Sequence, residues 1–151
     1  MKTLKQYLTE RLNIKKTSYN YNYFPDTKEE LQEIIKQRIN KEGYEVDLND
    51  IDTSNITDMS YLFFNSNFNG DISTWDVSKV TNMHRMFMYC KEFNQDISNW
   101  DVSNVKDMMS MFYNCKEFNK DISDWNVSNV KNPMHIFDYC QIEDKYKPSF
   151  K

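Results

Sequence analysis

Nearly the same 13 residues occur three times at a fixed interval of 25: FNGDISTWDVSKV from Phe68, FNQDISNWDVSNV from Phe93 and FNKDISDWNVSNV from Phe118. A fixed period of this size restricts a chain to an array of small units, each of which buries its apolar side only against its neighbours. Between residues 68–92 and 93–117, 16 of 25 positions are identical, and the next copy keeps the frame through Cys140. A degraded earlier copy runs from 47 to 66, with Ile51 in the place of Trp75, Ile56 in that of Val80, and Leu62-Phe63 in that of Met86-Phe87. It is one residue short before Phe68.

Two periodicities follow one another within a copy. The first is Ile72, Trp75, Val77 and Val80, repeated as Ile97, Trp100, Val102, Val105 and as Ile122, Trp125, Val127, Val130. It matches the leucine-rich template up to its eighth position, and the valines stand where that template has Asn or Cys. Trp75 and Val77 are two apart, so a strand would point both to one side and Asp76 to the other. The second is Met83, Met86, Phe87 and Cys90, repeated as Met108, Met111, Phe112, Cys115 and, with Pro133 in the place of the first Met, as Ile136, Phe137, Cys140. Steps of three, with one pair adjacent, predict one face of a short helix. The expected fold is an α/β solenoid, a leucine-rich-repeat-like stack of about four strand–helix rungs with a parallel sheet. The rungs lie near 47–67, 68–92, 93–117 and 118–140. Trp75, Trp100 and Trp125 would form a ladder inside it.

In such a stack the outward side of the strands is the candidate interaction face. It would carry Asp50 and Asp52, then Thr74, Asp76 and Ser78, then Asn99, Asp101 and Ser103, then Asp124, Asn126 and Ser128. Thr74, Asn99 and Asp124 vary between copies while the Ile, Trp, Val, Phe and Cys core positions do not. Asn69, Asn94 and Asn119 follow Phe in each copy and are expected to satisfy loop backbone. Asp71, Asp96 and Asp121 would repel one another unless each accepts backbone N–H bonds.

D-I-S-x-W-D-V-S-x-V followed by M-x-x-M-F resembles the BspA-like repeat of bacterial surface proteins, a leucine-rich-like family. The resemblance covers about residues 47–140 and implies a binding stack with no catalytic residues to carry over. It also implies a cell-surface location. The chain departs from the family's pattern at Pro133 and in having no export signal.

Composition narrows the function classes. Net charge is −4, which disfavours nucleic acid and anionic membrane as partners. No apolar run approaches the roughly 18 residues of a membrane span, and MKTLKQYLTERLNIKK has no signal-peptide core. A cytoplasmic location, or one inside a host cell or virion, follows as the expectation. Cys90, Cys115 and Cys140 are odd in number, lack a CxxC partner and read as small core residues rather than a disulfide or metal set. No nucleophile–base pair or phosphate loop is present. The expectation is no enzyme, no cofactor and no metal, and a protein partner whose identity and stoichiometry the sequence leaves open.

Residues 1–45 are expected to form a helical cap region, 46–141 the repeats and 142–151 a tail. A helix over residues 3–13 carries Leu4, Tyr7, Leu8 and Leu12, and a second begins at Asp26 or Thr27 with Glu30 completing a T-x-x-E box and ends at Gly43. The opening MKTLKQYLTERL also resembles N-terminal capsid-targeting segments of tailed-phage head proteins. That resemblance implies the alternative function, a virion-associated or other assembly protein addressed by its first helix.

Overall fold

The computed structural model describes residues 21–150, so the expected first helix and its capsid-address reading lie outside the described residues. Among the described residues the array begins under one α-helix, α1 (Lys28–Glu42). Thr27 Oγ1 accepts the Glu30 N–H at 3.2 Å, Glu30 reaches back to the Asp26 N–H at 2.8 Å, and Gly43, at φ 91°, closes the helix onto the Ile39 carbonyl. Leu31 and Ile35 are buried against the first copy, where a helix can hide the apolar end of an array. Arg38 Nη1 holds Asp50 at 2.7 Å and its Nη2 donates to the Asp47 carbonyl, which fixes the helix to that copy.

The expected strand–helix rungs with a parallel sheet do not form. Among the described residues there is no β-strand, and pairing is limited to isolated parallel bridges, Asp58 to Asn82, Asn82 to Asp107 and Asp107 to Asn132, with a further one from Tyr23 to Ile51. The leucine-rich-like solenoid architecture is corrected with it. Each copy is instead a chain of β-turns. The Trp75 N–H donates to Ile72, Val80 to Val77, Met86 to Met83, Cys90 to Phe87 and Phe93 to Cys90, every bond spanning three residues.

A β-turn brings its first and fourth residues together, so an apolar residue at every third position is as natural to a string of turns as to a helix. Helix growth is stopped by residues in the left-handed region, Arg85 (φ 53°) and Tyr89 (φ 63°) in one copy, Ser110 and Asn114 in the next, His135 and Tyr139 in the last. The strand reading fails for a related reason. Asp71 Oδ1 accepts the Ser73 N–H at 2.8 Å and Asp76 Oδ1 that of Ser78 at 3.0 Å, so each D-x-S bends the chain into an Asx-turn.

The copies lie on one another. Arg85, Phe87 and Tyr89 donate their N–H groups to Met109, Met111 and Tyr113 of the next copy at 2.9–3.0 Å, and Ser110, Phe112 and Asn114 do the same to Met134, Ile136 and Asp138. The N–H groups a helix would use internally thus bind the neighbouring copy. The indoles of Trp75, Trp100 and Trp125 are parallel within 3° at 6.5 Å centroid spacing. Closer contacts come from the phenylalanine that opens each copy, Phe93 on Phe87 at 4.1 Å and Phe118 on Phe112 at 4.3 Å. The expected core residues are buried, except Val130, Phe137 and Cys140 of the last copy, which are half-covered. Phe68, Phe93 and Phe118 are fully buried as well. The recurring FN dipeptide was the signal for these three, and apolar periodicity alone does not isolate it.

The tail continues the stack part of the way. Ile142 is buried, the Glu143 N–H donates to Asn119 Oδ1, and Ile122 donates to the Tyr146 carbonyl at the end of a 3-10 turn, Asp144–Tyr146.

Candidate functional site

The predicted interaction face resolves into turn corners. In the copies that begin at Phe68, Phe93 and Phe118, its middle and last residues are paired within one turn: Ser78 gives both N–H and Oγ–H to Asp76, the Ser103 N–H goes to Asp101 at 3.1 Å, and Ser128 gives both groups to Asn126. The Asp or Asn at this place therefore has a structural task through one oxygen. The Asx-turn also explains why Asn126 can replace Asp there, since an amide oxygen accepts as a carboxylate does. Thr74 is tied to Asn49 Oδ1 by its N–H at 2.9 Å and its hydroxyl at 2.8 Å.

Two expected members leave the face. Asp52 is only 7% exposed and accepts the Ser54 N–H. Asp50 is bound to Arg38 and to Asn22 Nδ2, so it joins the cap to the array. The exposed remainder is Thr74, Asn99, Asp101, Asp124, Asn126 and Ser128.

Asn99 and Asp124, from successive copies, face one cleft. With Asp96, Ser98, Lys120, Asp121 and Ile122 they line an open cleft of about 310 Å³. Hydrogen bonds from the Ser98 backbone and hydroxyl hold the Asp96 carboxyl below the ordinary range, and those of Ser123 do the same for Asp121. Burial opposes ionisation of Asp71, but the hydrogen bonds from Ser73 and Asn49 together outweigh it and its pKa is lowered too. All three carboxylates are turn acceptors in the charged state. No cluster of three His, Cys, Asp or Glu suited to a metal is present among the described residues.

The asparagine ladder works as a backbone clip: Asn69 Oδ1 accepts the Asn94 N–H at 2.9 Å and Asn94 Oδ1 that of Asn119 at 3.1 Å. The thiols of Cys90 and Cys115 donate to the carbonyls of Phe63 at 2.7 Å and Phe87 at 3.0 Å. Burial pushes the Cys90 thiol up to about 12 and raises those of Cys115 and Cys140. These are inert core groups at neutral pH.

Sequence reasoning missed a surface row of rings. Phe64, Tyr89, Tyr113 and Tyr139 meet edge to face at 6.1, 5.6 and 5.3 Å along the turn runs. The residues alternate between two neighbouring positions of the repeat, which hides the row from a single-column reading. Beside it the Tyr61 hydroxyl lies 3.1 Å from His84 Nε2 and accepts from Arg85 Nη1 at 3.0 Å. His84 Nδ1 is 3.7 Å from Asp107 Oδ1, too long for a hydrogen bond, and that nitrogen is buried without a partner.

Turns stacked by backbone bonds, with side chains displayed at their corners, define a tandem-repeat protein. The chain belongs to the family DUF285, Mycoplasma protein of unknown function, which it matches over residues 29–147. No curated protein and no solved structure matches it. Among the described residues no helix is long and apolar enough to cross a membrane.

Proposed function

We propose that this chain is a non-enzymatic repeat scaffold that binds another protein through the outer corners of its D-x-S turns. The observation that carries this reading is the contrast at positions 74, 99 and 124. The same D-I-S turn precedes each of them and the same tryptophan follows, while the exposed residue changes from Thr to Asn to Asp. A frame held by backbone bonds and a stacked aromatic core presents such positions without reorganisation, which lowers the entropic cost of docking. With Asp124 among them and Asp101 exposed beside them, the fitting partner is basic or polar. The resemblance of the W-D-V-S copies to BspA-like repeats supports a binding role as well. The location that goes with this reading is the cytoplasm, or the inside of a host cell or virion, and three free thiols, two of them buried in the core, support it.

The test is capture of a partner from the source organism's lysate on immobilised full-length chain, compared with Asn99→Arg/Asp124→Arg. Neither residue holds a turn together, so the melting temperature is expected to stay within a few degrees. Specific capture by the parent and its loss in the variant support the reading. Equal capture by both removes this face as the site.

A further inference from the structure

We propose that the ring row along the turn runs is a self-association surface, on which a second copy of this chain docks in reverse, row against row. Of the five exposed large apolar side chains among the described residues, four stand in the turn runs: Tyr61, Phe64, Met134 and Tyr139. Phe64 and Tyr139 close the row at 43% and 68% exposure, with half-buried Tyr89 and Tyr113 between them. Each ring meets the next at 75–77°, so the row offers edges and faces by turns. Single apolar side chains on a surface are ordinary, whereas a continuous run of them marks a binding surface. Tyrosine suits such a surface, because its ring covers much area while fixing few torsions.

The identity of the occupant follows from the charges along the rim. Lys116 Nζ lies 5.7 Å from the centre of the Tyr139 ring, which places it beside the row, and Lys91 holds the same repeat position one copy earlier. Glu92 and Glu117 come next in each copy. All four are exposed, and none has an ion pair or a side-chain hydrogen bond among the described residues. A polyanion laid along this rim would meet both glutamates, and a polycation both lysines.

A second copy of the chain avoids both conflicts. It is rotated by a half-turn about an axis that crosses the row between the copies beginning at Phe68 and Phe93. Tyr89 then packs on the partner's Tyr113 and Phe64 on the partner's Tyr139. Lys91 reaches the partner's Glu117, and Glu92 the partner's Lys116. One patch thus serves both chains, as a closed two-fold dimer requires. Four rings spaced 5.3–6.1 Å apart make a short strip, smaller than the about 800 Å² that each partner gives to a standard interface. The dimer is therefore weak and reversible, with a Kd above about 1 μM. The inference does not depend on the D-x-S corners.

The test is sedimentation equilibrium of the full chain from about 10 μM to about 1 mM, in enough salt to screen long-range repulsion. A reversible dimer is expected. Tyr89→Asn, which places there the residue that Asn65 and Asn114 supply in the neighbouring copies, should weaken it at least about tenfold. An unchanged melting temperature shows that the fold is intact. Lys91→Glu/Lys116→Glu and Glu92→Lys/Glu117→Lys should each stay monomeric alone and pair when mixed. The second of these has no net charge, since each Glu→Lys adds two to −4, so general repulsion does not account for its failure to associate. A parent chain that is monomeric throughout leaves the row to another protein or to residues 1–20 and overturns the proposal. So does association that Tyr89→Asn leaves unchanged, and so does a mixture of the charge variants that fails to pair.

Discussion

The indole N–H of Trp100 donates to the carbonyl of Ile72 at 3.2 Å, one copy back along the stack. Trp75 makes the same bond to Leu48 at 2.9 Å and Trp125 to Ile97 at 3.2 Å. Each tryptophan thus fills the core with its ring and satisfies a buried carbonyl of the preceding copy. Trp100→Phe keeps much of the apolar area but removes one of the two hydrogen bonds that the Ile72 carbonyl accepts, the other coming from the Trp75 N–H, and leaves a gap. A loss of about 1–3 kcal/mol is expected in denaturant unfolding. A loss below about 1 kcal/mol would show that the bond contributes little.

Gly70 faces a wall that its counterparts do not. A Cβ there would stand 1.9 Å from the Val46 carbonyl oxygen, while Gln95 and Lys120 occupy the same place in the later copies. Gly70→Ala should destabilise by about 2–3 kcal/mol through overpacking, and Lys120→Ala by less than about 0.5 kcal/mol as an ordinary surface change. Thermal unfolding of the pair checks this, and equal melting temperatures would contradict it.

Asn114 sits at φ 59°, a region costly for most side chains and tolerable for Asn. Asn114→Gly should leave stability unchanged or raise it by up to about 1 kcal/mol, since relief of strain competes with the entropy of a freer unfolded chain. Asn114→Val should cost about 1–2 kcal/mol or more, because a β-branched residue resists that conformation. A valine variant as stable as the glycine one would show that the left-handed turn is not what ends the helix.

Asp71, Asp96 and Asp121 all have folded-state pKa values below the ordinary carboxylate value. The sign follows from linkage: a depressed pKa contributes stability above the unfolded-state value, lost as pH falls through the folded-state one. Stability should therefore hold at neutral pH and decline below about pH 4. In Asp96→Asn the Asx acceptor remains but the charge does not, so that variant should show a shallower acid loss with little change at pH 7. Parallel acid profiles for variant and parent would count against the carboxylate–serine turn as the cause.

Much of this protein was legible before its coordinates. The buried Trp, Val, Met and Cys positions and the asparagine clip follow from residues that recur because each copy sees the same neighbours, and the capped helix ending at Gly43 follows from its own T-x-x-E box and glycine. The element type was not. Met83, Met86 and Cys90 at steps of three fit a helix and a string of turns equally, since both bring such residues to one side. The face was misread for the same reason: Asp76 looked like a strand residue turned to solvent, and its oxygen is engaged by Ser78.

By itself the sequence determined which side chains are hidden and how often the unit recurs, because burial follows from composition and spacing. Only the tertiary structure decided where the backbone N–H groups go. An amide that could close a helix four residues back instead meets a carbonyl about 24 residues ahead, as Arg85 meets Met109, and a bond that long in sequence leaves no local pattern to read.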